Sequence, residues 1–502
     1  MLHSSGDLAF LPRDLFWLIA GHLAPRDLVR CRRVSQSWRE AFSNPIILLP
    51  LLKRHFPGTT EVKDLRANAV DSDEQEIRHV FDQVAARYDH LQRGKPRSTQ
   101  TYRLCDDFGS AGDREWFQVQ PWESHASHAK QTVDRQFSEA LWTYDDGLLI
   151  FPSADHQCLV LMDLATDRQF MVPFIIRGKV IRRVRLQKRL LVVEWAEPKA
   201  FHWLNDSDGV HRHFASSFEV SPTPDNAWMV VPRNEWKIMF LGHPLSERDR
   251  FFSAHSNTHY VIYIWQPNRS LYTADEDAPI ESLFVWDISG SSSYRPSLDP
   301  YTSQTGPEVE RAPSIVARFG FRDLEFFGIR QRGCPSIQRL EITEDGQAVN
   351  IIENINTVLT IHDPLDLPFT VRTSIPVVGY GPHQRRQQQQ TLPPYRGNCS
   401  LQASFLSSSF IETWDTIIAQ VVDQEAGLSF LLHFSSGNNI VDGEETDYAR
   451  YCQSINLTIQ TKTSEVVQEN LDFAGRGKIC GCEKYLLGEN INRELIIWRF
   501  DR

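Results

Sequence analysis

Residues 11–45 read LPRDLFWLIAGHLAPRDLVRCRRVSQSWREAFSNP, and this run decides how the N-terminal part of the chain folds. Leu11-Pro12 opens a helix, because proline fits a first turn where its missing N–H costs nothing. Leu15, Leu18, Ile19 and Leu23 then recur at helical spacing until Ala24-Pro25 breaks the run. Asp27 sits near the start of a second helix that carries Leu28, Cys31 and Val34 on one face. Ser35 is the expected N-cap of a third helix bearing Trp38, Ala41 and Phe42, and Asn44-Pro45 stops it. Three helices this short make a core too small to stand alone, so the unit needs a partner or a neighbouring domain.

The run resembles an F-box. The family pattern is Leu-Pro, an acidic residue, spaced Leu/Ile, a Leu before a Pro-x-Asp-Leu turn, then Val-Ser and Trp. This chain supplies Leu11-Pro12, Asp14-Leu15, Ile19, Leu23, Pro25-Arg26-Asp27-Leu28, Val34-Ser35 and Trp38. It departs at Ala20, where a larger apolar residue is usual, and at Cys31, where Leu is common. The resemblance covers about forty residues, under a tenth of the chain. It implies binding to a Skp1-type adaptor through Leu11, Pro12, Leu15, Ile19, Leu23, Leu28, Val34, Ser35 and Trp38. The pattern does not divide these nine between internal core and partner contact. The competing reading is a generic three-helix cap whose Leu and Trp are only its own core.

Ile46 to Leu49 and Leu51-Leu52 continue the apolar surface, and LLKRHFP resembles the run after the F-box in many fungal F-box proteins. Ser72 to Leu91 reads as one amphipathic helix, with a Ser72/Gln75 capping box and a stripe of Ile77, Val80, Phe81, Val84, Tyr88 and Leu91. Gly94-Lys95-Pro96 ends it. This helix is expected to pack on the domain that follows.

From about residue 100 the period changes to two. Asp146-Gly147, Asp208-Gly209 and Asp345-Gly346 between alternating hydrophobics mark hairpins. Six strand clusters follow, near 140–176, 180–218, 226–289, 314–354, 398–434 and 451–501. Radial repetition is the economical way to fold that many hairpins. The expected fold class is therefore α plus all-β and multidomain. A three-helix F-box (1–56) leads, through a connector with a linker helix (57–99), to a large β-propeller-like region of six or seven degenerate blades (100–502). Its closing strand, Leu495 to Trp498, is expected to pair with a strand from before residue 142. Two stacked β-sandwiches are the rival. Gly290 to Pro313 and Gln384 to Pro394, rich in turn formers and glutamine, read as loose surface loops.

Sequence-local catalytic motifs are lacking: there is no Gly-x-Ser-x-Gly, His-Glu-x-x-His or phosphate-loop Gly-Lys-Ser/Thr, and Gly475-Arg-Gly477 reads as a turn. Cys480-Gly-Cys482 has no second ligand pair nearby, so two strand cysteines are expected rather than zinc. His125 and His128 form a lone pair in a polar stretch, and the Asp206–Gly209 turn beside His202, His211 and His213 lacks the acidic ligand of a calcium loop. No metal and no cofactor is expected. Arg182-Arg183, Arg185 and Lys188-Arg189 put a basic run beside Val184 and Leu186. A solvated, edge-protecting strand face is the expectation, with a docking patch for an acidic or phosphorylated motif as the alternative.

The net charge of −11, from 53 basic and 64 acidic residues, opposes a whole-chain role in nucleic-acid binding. The balance is uneven, because residues 1–60 carry +4 and the remainder −15. The first residues lack a signal-peptide pattern and no apolar run approaches the ~20 residues of a membrane span, so a cytoplasmic or nuclear protein without membrane contact is expected. By the resemblance, the chain is a non-enzymatic substrate receptor of an SCF-type cullin-RING ubiquitin ligase. The adaptor, and through it cullin and RING subunits, binds the F-box, and a protein substrate of unknown identity binds the β-region. The alternatives are a propeller hydrolase or lyase with a helical cap, and an F-box protein acting outside the ligase.

Overall fold

The structure is a computed structural model that describes residues 8–67, 74–105, 141–205, 208–225, 227–238, 245–246, 250–266, 279–299, 305–331, 337–355, 369–377, 415–423, 427–437, 452–461, 465–468, 479–490 and 492–502. The chain divides into two compact units, Met1–Tyr102 with Phe405–Arg502, and Arg103–Ser404.

The first unit begins with a single 3-10 turn, Leu8–Phe10, followed by α1 (Arg13–His22), α2 (Pro25–Cys31) and α3 (Gln36–Phe42). The punctuation falls where the sequence puts it. Pro12 caps α1, Pro25 starts α2, and the Ser35 hydroxyl accepts the Trp38 N–H at 3.1 Å to cap α3. α4 (Pro45–His55) buries Ile47, Leu48, Leu51 and Leu52 and runs through Pro50. α5 spans Thr60–Ala67 and α6 Glu74–Gln92. The predicted cap at Ser72 lies outside the described residues. At its other end α6 closes in a Schellman turn: Gly94 takes φ +60°, its N–H donates to the Leu91 carbonyl, and the Lys95 N–H donates to that of His90.

Two antiparallel sheets complete this unit. β1 (Ser98–Arg103) follows α6 directly. Near the C-terminus, β19 (Asp415–Asp423), β20 (Leu428–Gly437), β21 (Cys452–Gln460) and β22 (Glu465–Gln468) form a meander. β23 (Ile479–Gly481), β24 (Tyr485–Glu489) and β25 (Glu494–Arg499) then join β1 in the order β1-β25-β24-β23. The last strand thus pairs with one from before residue 142, as its alternation predicts. Arg97 and Ser98 reinforce the pairing through bonds to the Arg499, Asp501 and Arg502 carbonyls at 2.7 Å each.

Helices and sheets share one core. Phe16, Leu28 and Phe42 of the first three helices, Leu51 of α4, Phe81 and Leu91 of α6, Phe430, Ile459, Leu486 and Trp498 of the sheets, and Phe500 just after β25 belong to the same buried cluster. The linker helix therefore packs as its stripe predicts. Arg87 of α6, 2% exposed, donates to both carboxylate oxygens of Glu61 at 2.9 and 3.1 Å and pairs with Glu483 at 2.9 Å. Tyr88 Oη donates to Glu483 at 3.1 Å, and Lys484 pairs with Glu61 at 3.1 Å. Burial works against ionising Glu61, yet the Arg87 hydrogen bonds and the Arg87 and Lys484 charges hold its pKa down to about 2. Burial outweighs Arg87 at Glu483 and raises its pKa.

The second unit holds β2 (Thr143–Asp145), β3 (Leu148–Ser153), β4 (Cys158–Asp163) and β5 (Arg168–Met171) in one meander. β6 (Val180–Gln187), β7 (Leu190–Ala196), β10 (His213–Pro222) and β11 (Trp228–Lys237) form the next sheet, with a hairpin of β8 (His202–Asn205) and β9 (Asp208–Val210) between β7 and β10. β12 (Arg250–His255), β13 (His259–Gln266), β14 (Ile280–Asp287) and β15 (Ser314–Phe319) form a third, and β16 (Ile337–Ile342), β17 (Ala348–Ile355) and β18 (Phe369–Pro376) a fourth. Two short helices, α7 (Pro307–Glu310) and α8 (Phe321–Phe326), flank β15. The described pairing leaves separate sheets and does not close a ring, so propeller character goes beyond what it gives.

Two expectations about loops change. Asp208-Gly209 is not the hairpin tip, because Asn205 pairs with Asp208 and Trp203 with Gly209, placing both residues in β9. The stretch after Gly290 is not loose over its described residues. Asn234 Nδ2 donates to the Gly290 carbonyl at 2.7 Å, the Ser297 N–H donates to Glu235 at 2.9 Å, and the Ser293 N–H donates to Glu308 at 2.9 Å. Buried Asn234 and Glu235 of β11 are satisfied by this segment, so polar composition here reflects specific bonding. Residues 384–394 lie outside the described residues.

Candidate functional site

The nine positions singled out at the N-terminus separate by burial. Leu28 is core, 1% exposed. Leu11, Leu23 and Trp38 are half-buried and pack against the shared core, the Trp38 ring 5.5 Å from that of Phe42. Pro12, Leu15, Ile19, Val34 and Ser35 are exposed. Ser35 is held by its capping bond and lies 2.9 Å from the Ser37 hydroxyl.

Helical geometry explains the division. Phe16 and Ala20 of α1 face the core at 3% and 0% exposure, with Phe16 packed 4.7 Å from the Phe42 ring. One helical step away, Leu15, Leu18 and Ile19 stand at 50, 56 and 39%. Spacings of three and four residues place these three on one face of the helix. Phe10 and Val34, at 66 and 63%, add exposed apolar side chains on the turns before α1 and before α3. Phe10 and Leu18 lie outside the nine positions singled out from the sequence. The Leu18 signal was its spacing from Leu15, whereas Phe10 lies before the motif begins. Ala20, one departure from the family pattern, is fully buried.

Two arginines of this segment reach α6. Arg26 pairs with Asp89 at 3.0 Å, and Arg32 with Asp82 at 2.5 Å while lying 5.4 Å from the Phe81 ring centre. Arg78 of α6 donates to the Ser43 carbonyl at 2.8 Å. These contacts fix α6 against the first three helices and leave the Leu15–Leu18–Ile19 face uncovered.

The other sequence candidates resolve differently. The run in β6 is not a solvated face. A bulge between Ile181 and Arg183 turns both Arg182 and Arg183 inward, where each is 4% exposed. Arg183 donates to the Ser253 carbonyl and hydroxyl at 3.0 and 2.6 Å, and Arg185 to the same carbonyl at 2.7 Å. Arg182 donates to His213 Nε2 at 2.8 Å, which leaves His213 Nδ1 to donate to the His211 carbonyl at 2.9 Å. These arginines tie β6 to β10 and β12, which removes the docking reading for them. Lys188 and Arg189 form the tight turn after β6, with φ +48° and +67°, and pair with Glu344 and Asp146.

Cys480 lies in β23 and Cys482 just beyond it, both half-buried and neither in a disulfide. His125, His128 and Gly475-Arg-Gly477 lie outside the described residues. Among the described residues no three His, Cys, Asp or Glu side chains group as metal ligands, and no helix is long and apolar enough to cross a membrane.

Comparison with known proteins agrees with this geometry at the N-terminus. A family model described as F-box-like matches residues 8–48, which span α1 to α3 and the start of α4. No curated protein matches the chain. Among solved structures it is similar to a hydrazine synthase of Kuenenia stuttgartiensis, at 11% identity over 69% of this chain and 72% of that one, with a TM-score of 0.22. A mannose phosphorylase from Leishmania mexicana shares 6% over 65% and 86% at 0.25, and an alpha-L-arabinofuranosidase from Lactobacillus brevis 9% over 66% and 93% at 0.22. Likeness this slight carries no argument about fold or activity. F-box domains bind Skp1-type adaptors, and such a domain points to an adaptor-type, non-catalytic role. Residues 8–48 are an F-box-like domain, and the chain is an F-box protein made of that domain, its helical connector and a large β-rich region.

Proposed function

We propose that the chain is the substrate-recognition subunit of an SCF-type cullin-RING ubiquitin ligase. Its F-box-like domain engages a Skp1-type adaptor, which brings the cullin and RING subunits, and the β-rich region holds a protein substrate. The observation that carries this reading is the uncovered Leu15–Leu18–Ile19 face on a three-helix unit whose opposite face is fully packed. A compact apolar anchor with a polar surround is what dominates protein interfaces. The rate contribution of such a subunit is proximity: it raises the local concentration of substrate lysines near a charged conjugating enzyme, and no residue of this chain performs covalent chemistry. The sheets are further proposed to be blades of a degenerate β-propeller. This rests on their antiparallel meanders and on the pairing of β1 with β25, the device that joins first and last strands in such folds. A cytoplasmic or nuclear location is part of the same proposal.

The test is a calorimetric titration with the adaptor. Leu15→Ala with Ile19→Ala changes two exposed side chains, so the fold is expected to persist while affinity falls by about 2 kcal/mol or more. Unchanged affinity would remove this face from the interface. Cullin co-purification with the wild-type chain separates the ligase reading from an F-box protein acting elsewhere, in which the adaptor is captured without cullin.

A further inference from the structure

The F-box-like domain has no core of its own. Phe16, Leu28 and Phe42 are buried in a cluster that also contains Phe81 of α6, Leu486 and Trp498 of the terminal sheet, and Phe500 just after it. Two sets of polar bonds run through α6. Asp82, Asp89 and Arg78 fasten it to the first three helices, through Arg32, Arg26 and the Ser43 carbonyl. Arg87 and Tyr88 fasten it to Glu61 of α5 and to Glu483, in the turn between β23 and β24. Arg87 is 2% and Glu483 5% exposed, so water cannot replace either partner cheaply.

We infer that the adaptor face and the terminal sheet are one cooperative unit: adaptor bound to α1 stabilises β24 and β25, and loosening α6 from the terminal sheet opens the F-box helices. The inference rests on the proposed adaptor binding for its first half only. A ligand that binds only the folded form of a unit stabilises every element that unfolds with it. Here the elements are defined by the shared core rather than by distance along the chain. The residues at 8–48 and those at 485–500 unfold together, while the β12–β15 sheet, with its own core around Phe252, Val261 and Val285, serves as an internal reference.

Amide hydrogen exchange of the full chain tests both halves. Saturating adaptor is expected to slow exchange in α6, β24 and β25 as well as in α1–α3, with β12–β15 unchanged. Protection confined to residues 8–48 would overturn the inference, as would equal protection in β12–β15. The second half needs no adaptor. Arg87→Met removes the cation shared by Glu61 and Glu483, leaving Glu61 to Lys484 and Glu483 to the Tyr88 hydroxyl, and is expected to speed exchange in α1–α3 and in β24–β25 together, by about 100-fold or more. Tyr88→Phe, which deletes one hydrogen bond, is the milder variant for use if Arg87→Met does not fold, with about a 5-fold effect in the same segments. Faster exchange in the sheet with unchanged α1–α3 would overturn the inference even where adaptor binds. Failure of the adaptor to bind would remove the proposed function and leave this second test standing.

Discussion

Ser35 and the β6 arginines show how a single residue type acquires its role from what surrounds it. Ser35 fits the family pattern and is exposed, yet its hydroxyl is already engaged in capping α3. Helix geometry gives a serine at this position a role before any partner is considered. Arg182, Arg183 and Arg185 look like a surface patch in the sequence because charge implies solvent, but the bulge in β6 brings two of them inside. Beside them His213 and His255 are fully buried. Burial first, and then the charge of Arg182, pushes the His213 pKa well below its usual 6.5. Burial, with Arg185 and Arg183, lowers His255 to about 3. Both imidazoles are therefore neutral when folded, and the unfolded chain binds protons more readily. Their contribution to stability is complete above about pH 6.5 and declines as pH falls, by about 1.4 kcal/mol per pH unit for each group, until its folded pKa is reached. Denaturant titrations of the full chain between pH 7.5 and 5 are expected to show this loss, and a flat profile would contradict it. A β-bulge has no sequence signature as strong as an Asp-Gly turn, which is why this burial was not legible in advance.

At the level of elements, legibility followed locality. Proline and serine punctuation located α1, α2 and α3, and the turn at Asp146-Gly147 is a two-residue hairpin with φ +44° and +79°, the conformation that pair favours. Asp345-Gly346 lies in the turn between β16 and β17 as predicted, with Gly346 at φ +69°. A Cβ there would come within 2.7 Å of His259 Nδ1, so two costs coincide at one position. Gly346→Ala is expected to destabilise the second unit by about 1–2 kcal/mol, read as a lowered denaturation midpoint, whereas a shift below a few tenths would show that the turn relaxes freely. Asp208-Gly209 carried the same signal and gave a different outcome. Its pairing with Trp203 and Asn205 places both residues in β9, a register that depends on the partner strand rather than on the dipeptide.

Across the whole molecule, the features least visible in sequence are those that join distant residues. The nine F-box positions were legible as a set, but their division into core and surface was not. Leu28 is core because it belongs to a buried cluster, and that cluster includes residues more than 400 positions away. The same holds for the ion pair of Arg87 with Glu483, which no spacing rule connects. Composition and charge gave a different kind of partial answer: residues 1–60 carry +4, but no count shows that Arg26 and Arg32 complement Asp89 and Asp82 of α6. What remains uncovered is the apolar face of α1, and the functional account depends on it. The most direct measurement is co-expression of the full-length chain with a Skp1-type adaptor, followed by size-exclusion chromatography with light scattering. The account predicts a stable one-to-one complex. A folded chain that elutes alone, with the adaptor in a separate peak, would contradict it.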